Sequence, residues 1–433
     1  MADFDLIVRA QQDIAISDGK FFAIGPNLRG SAREEIDATK MAILPGVIDA
    51  HVHFNEPGRT DWEGFETGSR AAAAGGTTTV FEMPLNAHPP TIDGESFNAK
   101  RAAAEKVSIV DFGLWGGLVP GNLEHLDTLR DRGVVGVKAF MCDSGIEDFP
   151  RVTISILREG MKRAAELDLL VGVHAESQEM TQKLTAEKRS KGKTSVRDYL
   201  ESRPIETELD AIKCAIDLAA ETKCRLHIVH VSCGRGVALI AEARRQGLDV
   251  SCETCPHYLI LTEADMERLG AVAKCAPPLR SEQDRQSLRG RLGDVTTIGS
   301  DHSPSPWSMK DHANFFEAWG GISGCQHLLG LLINSAIALK QISELTSTNV
   351  AQRFRMNQKG EIAVGKDADF TIIDLSAEEP VTRESLLYRH RHTPYVGRRL
   401  RGRVVRTVMR GQTIFAQGKF FPPHGQFVRP NRT

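Results

Sequence analysis

The stretch at residues 44–53 reads LPGVIDAHVH, and it combines a buried strand with two potential metal ligands. Its first half, residues 44–48, is apolar and predicts a strand, and His51 and His53 follow where that strand ends. Residues two apart in extended backbone point to the same face, so both imidazoles can reach one ion. A single histidine on an apolar strand is more often a hydrogen-bonded core residue, whereas a pair at this spacing favours a metal site.

Similar apolar runs recur through the middle of the chain, and segments with helical character separate them. Because these runs do not alternate with polar residues, they predict parallel strands that are covered on both faces. Eight strands with crossover helices favour a (β/α)8 barrel of the TIM type over an open sheet, although the count alone does not decide between them. The predicted strands are 46–50, 78–83, 111–116, 134–140, 169–174, 226–231, 250–253 and 295–299. The predicted helices are 64–74, 150–166, 205–221 and 235–246.

Both ends of the chain show a different pattern, with short strands joined by turns. We therefore expect an α/β protein in which residues 1–45 and 359–433 form one composite β-sandwich domain beside a catalytic barrel domain of residues 46–358. A separate C-terminal β domain with a disordered N-terminus is the alternative, but it would leave the N-terminal strands without partners. The short strands predicted at the two ends are 5–10, 14–17, 20–24, 369–374, 401–409 and 413–415.

The bulk properties describe an ordinary globular chain. Its 433 residues exceed what one hydrophobic core usually serves, which agrees with a large domain and a smaller one. The net charge of −2 argues against a nucleic-acid or anionic-membrane surface. We expect no signal peptide and no bilayer-spanning run, so the eight scattered cysteines are interpreted as reduced thiols of a cytoplasmic protein.

Four further residues could join the histidine pair. His174, His230 and Asp301 each follow the end of an apolar run, and active sites of (β/α)8 barrels lie at these carboxyl ends of the strands. Lys138 lies inside an apolar run, where burying an unpaired ammonium would be costly. A lysine that reaches solvent from the strand end explains Lys138 equally well, and only the neighbouring histidines and Asp301 favour a functional role.

The chemistry of these side chains suits divalent metals, because imidazole and carboxylate are typical ligands of zinc and its neighbours. Two ions about 3.5–4 Å apart can share a water, lower its pKa toward about 7 and polarise a substrate carbonyl. Asp301 is the one carboxylate among these residues. We therefore expect Asp301 to take the proton of that water and to pass it to the leaving nitrogen.

Other motifs in the sequence are weaker. Cys252 and Cys255 have CxxC spacing, but no second pair follows at zinc-ribbon spacing, so we expect them to be structural. His257 could be packed in the core or could face the site, and both interpretations stay open. The sequence contains no glycine-rich phosphate loop, so nucleotide binding is not indicated.

The HxH after the first strand, the strand lysine, the two later histidines and the final aspartate resemble the amidohydrolase superfamily, in its cyclic-amidohydrolase branch. The resemblance covers nearly the whole chain and implies a metal-dependent hydrolase with two divalent ions. It also implies that Lys138 carries a CO2-derived carbamate, as N6-carboxylysine, and bridges both ions. Zinc is the expected metal, with cobalt, manganese or iron left open. The implied ligands of the first ion are His51, His53 and Asp301, and those of the second are His174 and His230.

Longer stretches resemble the allantoinases within this branch. Dihydroorotases typically carry an arginine where this chain has Asn55, and an asparagine where it has Leu85. Hydantoinases and dihydropyrimidinases usually have a tyrosine shortly after the lysine, and this chain has none at residues 141–150. The stretches that carry the resemblance are NEPGRTDWEGF (55–65), AAAAGGTTT (71–79), MPLN (83–86), WGGLVP (115–120) and KAFMCDSGIEDFP (138–150).

The resemblance implies hydrolysis of the cyclic amide of allantoin to allantoate by a metal-bridged hydroxide, a step of purine degradation. A hydantoinase-like, dihydropyrimidinase-like or dihydroorotase-like activity is the alternative, and a non-catalytic scaffold is disfavoured because all six ligand positions are filled. A small-molecule substrate and a homodimer or homotetramer are expected, without a nucleic-acid or membrane partner. Some residues that could contact the substrate lie in predicted loops, and for these turn formation is as good an explanation as substrate binding. The expected substrate contacts are Asn86, Ser144, Ala276, Gly320 and Gly321.

Overall fold

The computed structural model describes residues 3–422 and 425–432, so residues 1, 2, 423, 424 and 433 of the predicted terminal domain lie outside the described part. In chain order, the strands are β1 (Asp3–Arg9), β2 (Asp13–Ser17), β3 (Lys20–Gly25), β4 (Ser31–Asp37), β5 (Ala42–Pro45), β6 (Val47–Val52), β7 (Thr77–Glu82), β8 (Asp111–Leu114), β9 (Gly116–Gly117), β10 (Val137–Phe140), β11 (Leu170–His174), β12 (Arg225–Ile228), β13 (Val250–Thr254), β14 (Thr297–Ile298), β15 (Phe370–Pro380), β16 (Arg399–Met409), β17 (Gln412–Ala416) and β18 (Lys419–Phe420).

The helices lie mainly between the strands of the central part. Within the described residues, none of them is long and apolar enough to cross a membrane. The α-helices are α1 (Phe65–Ala74), α2 (Gly94–Val107), α3 (Leu126–Arg132), α4 (Ile154–Glu166), α5 (Gln178–Ser190), α6 (Val196–Ser202), α7 (Ile205–Thr222), α8 (Gly234–Arg245), α9 (Pro256–Ile260), α10 (Glu263–Leu269), α11 (Glu282–Arg289), α12 (Leu328–Ile333), α13 (Leu339–Ser343) and α14 (Asn349–Arg353).

The centre of the molecule is a barrel of parallel strands. β6, β7 and β8 form one sheet, and β9 to β14 follow in chain order in another. The third strand position is divided between β8 and β9, and a bridge between Val52 and His302 connects the first position to the segment after the last. The connecting helices bury one apolar face, which in α7 includes Ile212 and Leu218. The predicted (β/α)8 barrel is confirmed.

The predicted elements agree closely with those observed in the barrel. Each of the eight apolar runs overlaps a strand, and the four predicted helices correspond to α1, α4, α7 and α8. The helix predicted from Pro150 begins instead at Ile154. Its start is fixed by Thr153, whose Oγ1 accepts a hydrogen bond from Ile156 N–H (3.2 Å) and so caps the first turn.

The terminal strands form the predicted β-sandwich. One sheet has the order β3-β2-β1-β4, and the other has the order β18-β17-β16-β15-β5, so β5 from the N-terminal region completes a C-terminal sheet. Asp18 and Gly19 both have positive φ, as the tight turn between β2 and β3 requires. Ile16 and Phe21 belong to the same buried cluster as Phe370 of the other sheet. The domain boundaries at 45/46 and 358/359 stay predictions.

A buried group of charges joins the barrel to this sandwich. Lys359 Nζ donates to Asp111 Oδ2 (2.7 Å), at the start of barrel strand β8, and to Asp369 Oδ2 (2.6 Å), just before β15. Arg410, which follows β16, also pairs with Asp111. Because Lys359 is buried with both carboxylates, neither acid is left as an isolated charge in the core.

Candidate metal centre and active site

The predicted ligand residues meet at the carboxyl ends of the barrel strands. They line one cavity of about 650 Å³, at the end of the barrel where such folds carry their active sites. His230 and Asp301 lie just beyond β12 and β14 and adopt positive φ values of 38° and 46°. Non-glycine residues in this region of backbone space are strained and concentrate at functional sites. The residues brought together are His51, His53, Lys138, His174, His230 and Asp301.

Asp301 lies against the two histidines that follow the first barrel strand. Its Oδ1 is 3.2 Å from His51 Nε2 and 3.5 Å from His53 Nε2. Burial lowers the pKa of His51 well below its ordinary value, so the ring is neutral and can offer a lone pair. Burial opposes ionisation of Asp301, but the adjacent imidazoles outweigh it and lower its pKa. Two imidazoles and a carboxylate within 4.8 Å of one another suit a divalent cation.

His174 and His230 form a second group of ligand atoms. His174 Nδ1 lies 3.1 Å from His230 Nε2, and His174 Nε2 lies 2.8 Å from the carboxylate of Glu176. Arg203 Nη1 donates to the same carboxylate oxygen (2.6 Å). Since Glu176 accepts the ring proton at Nε2, Nδ1 keeps a lone pair that faces His230. Burial lowers the pKa of both histidines, which keeps the two rings neutral and able to bind a cation.

Lys138 is buried in the wall of the cavity that both groups of ligand atoms line. Within the described part of the chain its Nζ has no hydrogen-bond partner, and it lies 4.9 Å from the ring of Phe140. Burial lowers its pKa to about 8, so a neutral amine is accessible near neutral pH. A buried amine without a partner fits a position at which the amine is chemically modified or contacts a bound ion. It does not fit the alternative of a lysine that reaches solvent.

Glu253 is a functional residue that the sequence reasoning missed. It lies on β13, and its Oε1 is 2.7 Å from His51 Nδ1. This contact places the ring proton of His51 on Nδ1 and directs Nε2 toward Asp301. A charged residue inside a predicted barrel strand was the signal that could have indicated it, because a buried charge needs a partner. Glu176 and Arg203 were also missed. Their contacts with His174 and with each other are visible only in the folded protein.

His257 and Cys255 also lie beside Asp301. One ring nitrogen of His257, the Cys255 thiol and a carboxylate oxygen of Asp301 are within 4.8 Å of one another. Both ring nitrogens of His257 are buried and have no partner among the described residues. Burial lowers the pKa of His257 to about 4, which makes its ring neutral. Of the two interpretations left open by the sequence, this position favours the one at the site.

The residues expected to contact substrate all line the same cavity. The Ser144 hydroxyl is already engaged inside its loop, where it donates to Phe149 O (2.6 Å) and accepts from Ile146 N–H (3.2 Å). The roles of all the expected residues as substrate contacts stay predictions. Asn55, in contrast, is fully buried and does not line the cavity, and its N–H donates to Glu82 Oε1 (3.2 Å). The lining residues in question are Asn86, Ser144, Ala276, Gly320 and Gly321.

The chain belongs to the amidohydrolase family, whose model matches residues 42–414. Together with the two groups of ligand atoms, this membership supports a binuclear metal site in a metal-dependent cyclic amidohydrolase. Among its relatives, the chain is 53% identical to the allantoinase of Rubrobacter xylanophilus, over 100% of this chain and 99% of that protein. It is 51% identical to the allantoinase of Solibacter usitatus, over 96% of this chain and 93% of the relative.

Solved structures with the same fold carry related names. The L-hydantoinase (dihydropyrimidinase) of Arthrobacter aurescens superposes with a TM-score of 0.96 at 34% identity, over 98% of this chain and 100% of that chain. The dihydropyrimidinase of Brevibacillus agri NCHU1002 gives a TM-score of 0.90 at 30% identity, over 99% and 98% of the two chains. The resemblance inferred from the sequence motifs is therefore confirmed at the level of the family.

Proposed function

We propose that this protein is an allantoinase, which opens the ring amide of allantoin to give allantoate. The observation that carries the reaction class is the convergence of four imidazoles and a carboxylate on one cavity that a buried lysine amine also lines: His51, His53, His174, His230, Asp301 and Lys138. The substrate is supported by full-length identity of 53% to a protein named allantoinase, well above the 34% found with a hydantoinase structure.

The metal centre is proposed to hold two divalent ions, zinc in the first instance. His51, His53 and Asp301 would hold one ion, His174 and His230 the other, and Lys138 would bridge both as a carbamate. The low pKa of the buried Lys138 amine supports that modification, because the neutral amine is the form that adds to CO2. Two ions bound there would lower the pKa of a shared water and polarise the ring carbonyl.

The chain's own residues then position substrate and move one proton. Asp301, ionised in the resting site, accepts the proton of the attacking water. As the new C–O bond forms and the ring C–N bond breaks, that proton passes from Asp301 to the departing nitrogen. Backbone groups at Ala276, Gly320 and Gly321 are proposed to hold the ring amide. Asn86 and the loop that contains Ser144 are proposed to contact the remainder of the substrate, including its ureido group.

A substrate comparison tests the proposed activity. With metal-loaded protein, allantoin should be hydrolysed at least tenfold more efficiently, as kcat/KM, than hydantoin, dihydrouracil or dihydroorotate. Asp301→Asn is the control, since it should lose turnover of every substrate and still bind metal. A higher kcat/KM for dihydroorotate or dihydrouracil than for allantoin would contradict the proposal.

The second candidate is a hydantoinase of broad specificity. The structural similarity to the Arthrobacter aurescens L-hydantoinase is the observation that favours it. In that case plain and 5-substituted hydantoins would be hydrolysed as fast as allantoin. The two candidates share the same metal centre, so only the comparison of substrates distinguishes them.

Bicarbonate dependence tests the carbamate at Lys138. Apo-protein should regain activity several-fold faster when the divalent metal is supplied with bicarbonate than with metal in CO2-free buffer. Lys138→Ala should need a short-chain carboxylic acid for any recovery, because it lacks the amine that CO2 modifies. Equal recovery of the unmutated protein with and without bicarbonate would contradict the modification.

Three broader properties accompany this proposal. We propose a homodimer or homotetramer, which light scattering of the purified protein would measure. The composite β-sandwich domain is proposed to comprise residues 1–45 and 359–433, and the barrel domain residues 46–358. A cytoplasmic location and the absence of nucleic-acid or membrane partners remain part of the proposal.

A further inference from the structure

One wall of the active-site cavity has almost no regular secondary structure. Residues 310–321 follow a short 3-10 turn at Trp307–Met309 and contain neither helix nor strand. Residues 316–321 of this segment line the cavity, and they include Gly320 and Gly321, which are proposed to hold the substrate. With no ladder or helix to support it, the segment is held by individual backbone and side-chain hydrogen bonds.

Lys310, the first residue of this segment, contacts the residues at its other end. Its Nζ donates to Gly321 O (2.8 Å), to Trp319 O (3.3 Å) and to Ala271 O (3.3 Å). The ammonium is therefore enclosed by three carbonyl oxygens, two of which belong to the wall. An ammonium has three donors, so this arrangement uses its full donor capacity.

Lys274 supports the same wall from the neighbouring loop. Its Nζ donates to Phe315 O (2.6 Å) and Ala318 O (2.5 Å), and its own carbonyl accepts from Gly321 N–H (2.8 Å). The ammonium also lies 4.7 Å from the ring centre of Tyr199, a cation–π distance. The two lysines together contact Phe315, Ala318, Trp319 and Gly321 of the segment.

Burial of these two ammonium groups is costly unless hydrogen bonds compensate for the lost contact with water. Lys274 and Lys310 are both buried, and neither forms an ion pair with a carboxylate within the described residues. Burial lowers the pKa of each to about 7, and the charge of Arg203 lowers that of Lys274 further. A hydrophobic side chain of similar length would fill the same space without that cost. The donors, rather than the volume, therefore distinguish lysine here.

The backbone at the end of the wall passes close to Ser303 and leaves no room for a side chain. Gly321 has a φ of 113°, and a Cβ at this residue would lie 2.2 Å from Ser303 O. Trp319 packs edge-on against Trp62, with ring centres 5.1 Å apart. A shift of the segment would therefore move both the glycine backbone that lines the cavity and the contact between Trp319 and Trp62.

We propose that Lys274 and Lys310 are positioning residues that hold the wall at residues 315–321 in its binding geometry. The effect on substrate rests on the proposed function, because the glycine backbone at 320–321 is assigned to the ring amide there. We call this pair of lysines, with the carbonyl groups they contact, the clamp. The clamp itself does not depend on which cyclic amide is bound. It acts on the shape of the cavity, and Asp301 and the metal ligands carry out the chemistry.

Substitution by methionine tests the proposal, because methionine keeps the unbranched stem and removes the donors. Lys310→Met and Lys274→Met should each raise KM for allantoin about tenfold, while kcat changes less than threefold. The metal content should stay unchanged. Lys340→Met, at a lysine whose side chain is 89% exposed on α13, is the matched control and should behave like the unmutated protein.

Limited proteolysis reports on the wall without any substrate. Chymotrypsin should cleave the two variants after Phe315, Phe316 or Trp319 several-fold faster than it cleaves the unmutated protein or Lys340→Met. If allantoin is not a substrate but proteolysis responds as expected, the proposed function fails and the clamp stands. An unchanged KM together with unchanged cleavage would overturn the clamp.

Hydrogen exchange of the unmutated protein keeps the proposal falsifiable if a variant does not fold. Gly321 N–H and Trp319 N–H donate to Lys274 O and Met309 O, so peptides covering 315–321 should exchange slowly despite their irregular structure. Exchange of this segment as fast as that of an unstructured peptide would overturn the proposed role of both lysines.

Discussion

At the scale of single residues, the site is organised by carboxylates that contact histidines on the side away from the cavity. Glu253 accepts from His51 Nδ1 and Glu176 from His174 Nε2, and both carboxylates are fully buried. Each contact fixes the tautomer of a ring and so decides which nitrogen faces the centre. Arg203 compensates the charge of Glu176. The rings of His51 and His174 are therefore held in a fixed orientation by the protein itself.

Replacement of Glu253 tests this arrangement. Glu253→Gln keeps the size of the side chain and replaces the carboxyl group that orients His51 by an amide, so affinity for divalent metal should fall about 10–100-fold. Competition with a chromophoric chelator would measure that loss. Glu378→Gln, on the exposed end of β15, should bind metal as the unmutated protein does. Equal metal affinity in Glu253→Gln would contradict the role assigned to this carboxylate.

At the scale of elements, the loop between β6 and α1 is attached to the C-terminal part of the chain. Arg389 N–H lies 3.2 and 3.3 Å from the two carboxylate oxygens of Glu63, and Arg389 Nε donates to Glu63 O (2.6 Å). Burial raises the pKa of Glu63 to about 7 from an ordinary value of 4.5. The folded protein therefore binds a proton at Glu63 that the unfolded chain releases at lower pH.

This difference in proton binding predicts a pH-dependent stability. Because the pKa of Glu63 is higher in the folded state, its contribution to the free energy of unfolding is greatest below about pH 4.5. That contribution falls by up to about 3 kcal/mol as the pH rises to about 7. Glu63→Gln cannot ionise, so its stability relative to the unmutated protein should increase over this range. Urea unfolding at several pH values measures the difference, and a constant difference would contradict the prediction.

At the scale of the whole molecule, the barrel and the sandwich are joined by buried charges as well as by apolar packing. Lys359 contacts an aspartate of each part, Asp111 and Asp369. Both aspartates and Lys359 are buried, so removal of the lysine would leave Asp369 without its cation and Asp111 with Arg410 alone. Breaking a buried ion pair in this way usually costs about 3–5 kcal/mol.

Lys359→Met should therefore lower the free energy of unfolding by about 3–5 kcal/mol, as measured by denaturant unfolding of the metal-loaded protein. Lys20→Met is the matched control, since Lys20 pairs with Asp367 at the exposed edge of the same region and should contribute less than about 1 kcal/mol. An equal loss of unfolding free energy in the two variants would show that the buried contacts of Lys359 do not stabilise the protein more than an exposed ion pair does.

Much of the fold follows from local patterns in the sequence. The eight apolar runs and the strand-end positions of His51, His53 and His174 depend only on periodicity, which is a property of neighbouring residues. The start of α4 was placed four residues too early, because a side-chain cap by Thr153 competes with the hydrophobic pattern. The composite sandwich was also predictable, since short strands at both ends need partners.

The sequence by itself determined the barrel, the terminal sandwich and the type of metal ligand, because strand periodicity and ligand chemistry are local. Only the tertiary structure decided which buried polar groups serve those ligands. Glu253 reaches His51 across 202 residues of chain, and Lys274 and Lys310 support a wall that has no periodic signal. Asn55 likewise turned out to be buried away from the cavity. Pairing of this kind depends on how distant strands and loops are placed, and that placement follows from the packing of the whole chain.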